Sequence, residues 1–118
     1  MAIKKLQNNY TTPEQSKRLL ELGVPADSAN CYYDSWKRVQ WRQQADLHND
    51  FFESYPHYIP CWTVGRFIEL LVTCAIDKDY VEEIIKGTAC YAAAVETYVN
   101  VITYLYKKKE LDFSKLEE

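Results

Sequence analysis

A chain of 118 residues, with 47% hydrophobic and 26% charged residues, has the composition of one ordinary globular domain rather than a disordered protein. Its formal net charge of -3 gives no general attraction to nucleic acid or to an anionic membrane. The apolar run over residues 70–76 is interrupted by Thr73 and falls far short of the roughly 18 residues that span a bilayer. No apolar block follows the lysines near the start, so we predict no signal peptide, no membrane partner and a cytoplasmic protein.

The four cysteines lie at positions 31, 61, 74 and 90, without any Cys-x-x-Cys pair of the kind found in zinc sites. Because nothing in the sequence indicates export, buried free thiols are expected rather than disulfides. Polar residues between 46 and 57 include both histidines, but they lack the spacing of metal ligands and have no nucleophile in a catalytic motif. We therefore predict no metal, no cofactor and no catalytic residues.

The first predicted helix covers about residues 13–22. Thr12 can cap it, and Gln15 completes a Thr-x-x-Gln capping box. Gly23 suits the left-handed position after a helix, and Pro25 prevents continuation.

The segment that follows has no clear period. Asp27 is placed to cap a short helix, and the residues from Tyr32 to Gln43 form only a weak helical stripe. Residues 46–57 show neither a helical nor a strand period, so we predict a loop with one irregular turn.

A second helix is predicted over about residues 64–75, because its apolar residues recur at the i, i+3, i+4 spacing. Thr63 is its cap, and Trp62 is placed to fold back on the first turn as a hydrophobic staple. Gly65 lowers the helix propensity, which a close approach by another backbone would explain.

Residues 79–87 allow two interpretations. Asp79-x-x-Glu82 resembles a capping box and Gly87 resembles a stop, which favours a short helix. The same stretch contains good strand formers, so a β-hairpin around residues 72–86 remains the alternative.

The last predicted helix covers about residues 89–109 and is apolar around most of its girth, which is typical of a helix buried on several sides. Residues 1–11 and 110–118 are expected to fray. The predicted fold is therefore one compact domain over residues 1–118, mainly α, with one small β-hairpin as the α+β alternative.

Basic and aromatic residues interleave only between Trp36 and Arg42. Single-stranded nucleic acid is bound in this way, with bases stacked on aromatic rings and phosphates held by cations. Lys37, Arg38 and Arg42 are the candidate phosphate contacts. The alternative is that Trp36 and Trp41 anchor this segment to the core.

Aromatic residues are numerous, with ten tyrosines and three tryptophans. Such a number exceeds what a core of this size can fully bury, because each tyrosine or tryptophan needs a partner for its polar tip. Both residue types are also enriched where proteins meet. We therefore predict contact with a protein partner, or self-association, through exposed or semi-exposed aromatic residues and a polar rim: Trp36, Trp41, Tyr58 and Trp62, with Arg66 at the rim.

Residues 10–25 (YTTPEQSKRLLELGVP) and 60–66 (PCWTVGR) resemble a family of small uncharacterised proteins carried on prophages and mobile elements of gut anaerobic bacteria. Residues 93–96 (AAVE) resemble the closing segment of those proteins. The resemblance covers about half of the chain, and the chain departs from the family's pattern between Asp77 and Gly87, where the relatives carry a longer strand-like insert. Because the family has no assigned activity, the resemblance implies a mobile-element context and transfers no functional residue.

These observations together predict a non-enzymatic accessory or adaptor protein that acts by protein contact. The alternative is a small nucleic-acid-binding protein that uses the segment from Trp36 to Arg42.

Overall fold

A computed structural model of the chain describes residues 9–42, 51–88 and 94–117. Helices α1 to α5 and strands β1 to β3 occur along the chain in the order α1 (Pro13–Leu22), a 3-10 turn (Ala26–Ser28), β1 (Cys31–Tyr33), β2 (Val39–Trp41), α2 (Phe51–Ser54), β3 (Ile59–Cys61), α3 (Val64–Cys74), α4 (Lys78–Thr88), α5 (Ala94–Lys107) and a 3-10 segment (Phe113–Glu117). The mainly helical prediction is thus confirmed, and a small sheet accompanies the helices.

Helix α1 begins and ends as its sequence predicts. Thr12 Oγ1 accepts a hydrogen bond from Gln15 N, and Gln15 Oε1 accepts one from Thr12 N. Gly23 follows the helix with a φ of 111°, in the left-handed region that favours glycine. A Cβ atom at this position would also lie 2.6 Å from the Tyr106 hydroxyl. The backbone conformation at this position therefore favours glycine, and a larger residue would also have to displace the Tyr106 side chain.

Strands β1 and β2 lie in the segment where the sequence shows only a weak helical stripe, and β3 follows the predicted loop. The strand order of the sheet is β2-β1-β3, and both neighbouring pairs are antiparallel. The weak helical stripe after Tyr32 does not form a helix. Residues 31–41 instead form a β-hairpin, referred to below as the hairpin. Asp27 lies within the 3-10 turn, whose N-cap is Pro25, with no side-chain cap. Of the predicted loop over residues 46–57, residues 46–50 lie outside the described residues, and α2 (Phe51–Ser54) occupies part of the rest.

The alternative β-hairpin around residues 72–86 is wrong, because α3 and α4 occupy this range. Asp77 starts α4, since its Oδ1 accepts a hydrogen bond from Tyr80 N at 3.0 Å. The predicted capping box at Asp79 is displaced by this earlier cap. Val81, a good strand former, is instead buried on the core side of α4.

The main core is built from α1, α3, α4 and α5, and Trp62 lies within it. Trp62 stacks on Phe67 in the first turns of α3, and Phe67 stacks on Tyr98 of α5, with ring centroids 6.5 and 6.3 Å apart. Trp62 therefore packs back on α3 as predicted, but it is fully buried. The close backbone approach predicted at Gly65 is not made by any described residue, among which a Cβ there would meet only Thr63 Oγ1, at 3.9 Å.

The described parts of both termini, where the sequence predicts fraying, make backbone hydrogen bonds with the rest of the fold. Thr11 is fully buried, and its N–H donates to Trp62 O at 2.9 Å. At the other end, Asp112 N donates to Cys74 O at 2.8 Å, and Leu111 forms a β-bridge with Ala75. Both segments are therefore held by backbone hydrogen bonds to the residues that flank α3.

Three described cysteines, Cys31, Cys61 and Cys74, are buried free thiols, as predicted. The fourth position, 90, lies outside the described residues, as do residues 89–93 of the predicted last helix. Among the described residues, no helix has the length and apolar character needed to cross a bilayer.

Candidate functional site

The turn of the hairpin is organised by the carboxylate of Asp34. Its Oδ1 accepts hydrogen bonds from Trp36 N and Arg38 N at 2.8 and 2.9 Å, and its Oδ2 accepts one from Gln40 Nε2 at 3.0 Å. Lys37 completes the turn with a φ of 61°, an uncommon conformation for a residue with a Cβ. These bonds hold the turn in one geometry.

The same bonds change the acidity of this carboxyl group. The hydrogen bond from the Arg38 backbone, supported by those from Gln40 and Trp36, lowers the pKa of Asp34 below its ordinary value. Because the folded-state pKa is the lower one, the stabilisation is present above the ordinary carboxyl range. It is lost as the pH falls through the folded-state pKa.

The hairpin carries two exposed tryptophans. Trp36 is 76% exposed and Trp41 is 64% exposed, the two largest exposed fractions among the large hydrophobic residues of the described chain. Arg38 lies over the ring of Trp36, with 5.5 Å from its Cζ to the ring centroid. The two rings therefore present a wide apolar surface, with a cation beside it.

A groove of about 780 Å³ runs across the sheet face next to Trp41 and is called the sheet-face groove. Its lining residues come from the hairpin, from the residues around the start of α1 and from the cap of α3: Tyr10, Thr12, Pro13, Glu14, Tyr33, Lys37, Arg38, Val39, Trp41 and Thr63. Tyr10 and Tyr33 meet edge to face in it, 6.3 Å apart. The groove thus combines aromatic walls with two cations at the hairpin end and one carboxylate at α1.

Strand β2 is an edge of the sheet. Asp34 N donates to Arg38 O at 2.9 Å, which makes these two residues a hydrogen-bonded pair. Because such pairs alternate along antiparallel strands, the backbone groups of Val39 and Trp41 point away from β1. No residue in the described ranges pairs with this outer edge. An additional strand could therefore pair with donors and acceptors that no described residue uses.

Only part of the predicted site comes together. Trp36, Lys37, Arg38 and Trp41 lie on the hairpin and around the groove. Tyr58 lies elsewhere: it is half-buried and stacked between Tyr32 and Tyr55, with centroids 4.8 and 5.2 Å away. Tyr32 projects from the sheet face opposite to its neighbours in β1, so this stack is separate from the groove.

Two further predicted contact residues are turned inward. Trp62 is fully buried, so the prediction that it is exposed is wrong. Its backbone N–H and its indole N–H donate to Thr11 Oγ1 and Ser28 Oγ at 3.1 and 2.9 Å. Arg66 is half-buried, and its Nε donates to Ser28 O at 2.7 Å.

Arg42 is also buried, with 7% of its surface exposed, so its predicted role as a solvent-facing phosphate contact is wrong. Its Nη1 donates to Asp27 O and Ala29 O at 2.9 and 2.8 Å. Its guanidinium also lies 5.1 and 5.0 Å from the ring centroids of Phe51 and Phe52. Arg42 therefore joins the hairpin to the 3-10 turn and to α2.

Sequence reasoning missed three residues of this site, Asp34, Tyr10 and Tyr33. A signal for Asp34 was present, because aspartate is favoured at the first position of a turn between two short runs of strand formers. Nothing local distinguishes Tyr10 or Tyr33, which meet only through the fold. Within residues 9–42, 51–88 and 94–117, no three His, Cys, Asp or Glu side chains are grouped as metal ligands.

Comparisons of this chain with protein-family models, curated proteins and solved structures find no significant match.

Proposed function

We propose that this chain is a non-enzymatic accessory or adaptor protein that contacts another protein through its hairpin. The observation that supports the proposal is the exposure of Trp36 and Trp41 on a turn held by Asp34. Tryptophan is the residue most often found at the energetic centre of protein interfaces. Because the turn is already ordered, this chain loses less conformational entropy when a partner covers these rings.

The partner segment that fits this surface is an extended one. The outer edge of β2 offers the backbone groups of Val39 and Trp41 to an added strand, a common mode of peptide recognition. Lys37 and Arg38 stand at one end of the sheet-face groove, which favours acidic residues at the corresponding end of the partner segment. We therefore propose an extended, partly acidic segment of another protein as the occupant.

Replacing both hairpin tryptophans with serine is expected to weaken partner binding by on the order of 100-fold, because the two rings supply most of the buried contact. The measurement is a tagged pull-down from nuclease-treated host lysate, followed by titration of the recovered partner. The matched control is Ile76→Ser, which removes another exposed hydrophobic side chain (62% exposed) away from the hairpin.

The Ile76 variant should bind like the unmodified chain. Equal recovery by the double tryptophan variant would contradict the proposal. If the only partner recovered is the chain itself, and sedimentation shows a dimer that the double variant loses, the same surface serves self-association.

Binding of single-stranded nucleic acid is the second candidate, favoured by the two cations beside the aromatic walls of the sheet-face groove. With Arg42 buried, only Lys37 and Arg38 remain as phosphate contacts from the predicted set, and Arg38 also pairs with Asp34 at 3.4 Å. This footprint is small for a chain with a net negative charge.

Lys109 provides a matched control for testing nucleic-acid binding by Lys37. Both lysines adopt a left-handed conformation, with φ of 61° for Lys37 and 60° for Lys109. Replacing either with glycine removes one charge and relieves backbone strain, for an expected gain of about 0.5–1 kcal/mol in the free energy of unfolding. If the groove binds oligonucleotides, only Lys37→Gly should make the plot of log binding constant against log salt concentration less steep, by about one unit of slope.

Fluorescence titration with a labelled single-stranded oligonucleotide at several salt concentrations measures this slope. Absence of oligonucleotide binding at low salt, or equal effects of the two glycine variants, would remove this candidate. The mobile-element context stays a prediction from the resemblance.

A further inference from the structure

Cys31 and Cys61 lie directly opposite each other on the antiparallel strands β1 and β3. Side chains of such a pair leave the same face of the sheet, and their Cα atoms are about 4.5–5.5 Å apart. A disulfide requires a Cα separation of about 4.4–6.8 Å, so the backbone already satisfies this condition. The Cys31 Sγ lies 3.0 Å from the carbonyl oxygen of Cys61, and both residues are fully buried.

The two thiols share one enclosed environment. Tyr33 completes their cluster, and its hydroxyl donates to Thr11 O at 2.6 Å. The Cys61 Sγ lies 3.6 Å from the same carbonyl oxygen. A hydrogen bond between the two cysteine side chains lowers the pKa of Cys61, because it stabilises the Cys61 thiolate. The same hydrogen bond, together with burial, raises the pKa of Cys31.

We propose that Cys31 and Cys61 are a modification site, at which hydrogen peroxide oxidises the two thiols to a reversible disulfide that joins β1 to β3. The Cys61 thiolate attacks one peroxide oxygen and breaks the O–O bond, which forms a sulfenic acid and releases hydroxide. The hydroxide takes up the proton that Cys61 had lost and becomes water. The Cys31 sulfur then attacks the Cys61 sulfur, the S–O bond breaks, and the departing hydroxide leaves with the Cys31 proton as a second water.

The burial of both thiols favours a small oxidant. A mixed disulfide with glutathione would place a tripeptide against a sulfur that has no exposed surface, whereas a small hydroperoxide needs only a transient opening of the sheet. The disulfide would close the chain from residue 31 to residue 61, a loop that contains the hairpin. Closing this loop restricts the unfolded chain, so the oxidised protein should melt at a temperature several degrees higher.

Peptide mapping tests the pairing directly, because trypsin places the four cysteines in four different peptides, residues 19–37, 43–66, 67–78 and 87–107. The folded protein is treated with hydrogen peroxide, blocked with N-ethylmaleimide and digested without reductant. We expect peptide 19–37 joined to peptide 43–66, two hydrogen atoms lighter than the sum of the free thiol peptides and separated by dithiothreitol. Failure to form this pair, at a dose that oxidises the urea-unfolded chain, would overturn the proposal.

Cys74 provides the matched control, because it is equally buried and free but lies on α3. Cys74→Ala should leave the joined peptides and the rise in melting temperature unchanged, and Cys31→Ala should abolish both. In Cys31→Ser, which keeps a hydrogen-bond donor beside Cys61 but cannot form a disulfide, Cys61 should accumulate as a sulfenic acid that dimedone traps. Equal yields of joined peptides involving residue 74 or 90 would mean non-selective oxidation and would also overturn the proposal.

Discussion

Replacing Trp62 with alanine is expected to lower the free energy of unfolding by about 3–5 kcal/mol, a large share of the stability of an ordinary domain. The indole is fully buried and stacks on Phe67, so its removal leaves a cavity between α3 and the residues around Ser28. Its Nε1 also donates to Ser28 Oγ at 2.9 Å, and that hydrogen bond would be lost. Urea denaturation followed by far-ultraviolet circular dichroism measures the change.

Trp36→Ala is the matched control, because it removes the same side chain from a position that is 76% exposed. Its expected effect is within about 0.5 kcal/mol. Trp62→Phe should fall between the two, at about 1–2 kcal/mol, because the ring remains but the indole N–H is lost. Equal costs for Trp36→Ala and Trp62→Ala would contradict the burial described above.

Replacing Arg42 with alanine is expected to cost about 2–4 kcal/mol, although arginine is ordinarily a surface residue. The side chain supplies donors to the backbone oxygens of Asp27 and Ala29 and fills the space against Phe51 and Phe52. Its loss leaves buried acceptors without these donors and a void beneath α2. Thermal and urea unfolding of the purified variant measure the cost.

Arg38→Ala is the control for charge alone, because the Arg38 side chain is 67% exposed and pairs with Asp34 at the surface. It should change the stability by no more than about 0.5–1 kcal/mol. Arg42→Lys should recover only part of the loss, because a single ammonium group lacks the planar, forked set of donors. If Arg42→Ala proved as mild as Arg38→Ala, Arg42 would not join the hairpin to the 3-10 turn as described.

Helices α1 and α3 could be predicted because their signals are local, whereas α2 lies in the segment that the sequence predicts as a loop. The capping box of Thr12 and Gln15, the stop at Gly23 and the apolar period of α3 each act within a few residues of sequence. The sheet could not be predicted in this way, because strands of three residues are too short to show a period. Pairing of Cys31 with Cys61 also depends on a contact between residues far apart in sequence.

The candidate site could likewise be predicted only in part. Its residue types were visible in the sequence, since basic and aromatic residues interleave between Trp36 and Arg42. Which side chains face water was not visible, because neighbouring positions on a strand point to opposite faces and only the pairing decides which face is covered. Trp41 is therefore exposed and the adjacent Arg42 is buried.

By itself, the sequence determined the helical character of the chain, the ends of α1 and the start of α3, because backbone hydrogen bonds and caps within a helix join near neighbours. It also determined that the aromatic residues exceed what the core can bury. Only the tertiary structure decided which tryptophans remain exposed, that two cysteines face each other, and that the described parts of both termini are held in place. These outcomes depend on contacts between distant segments, and burial at any one position is set by what the rest of the chain packs against it.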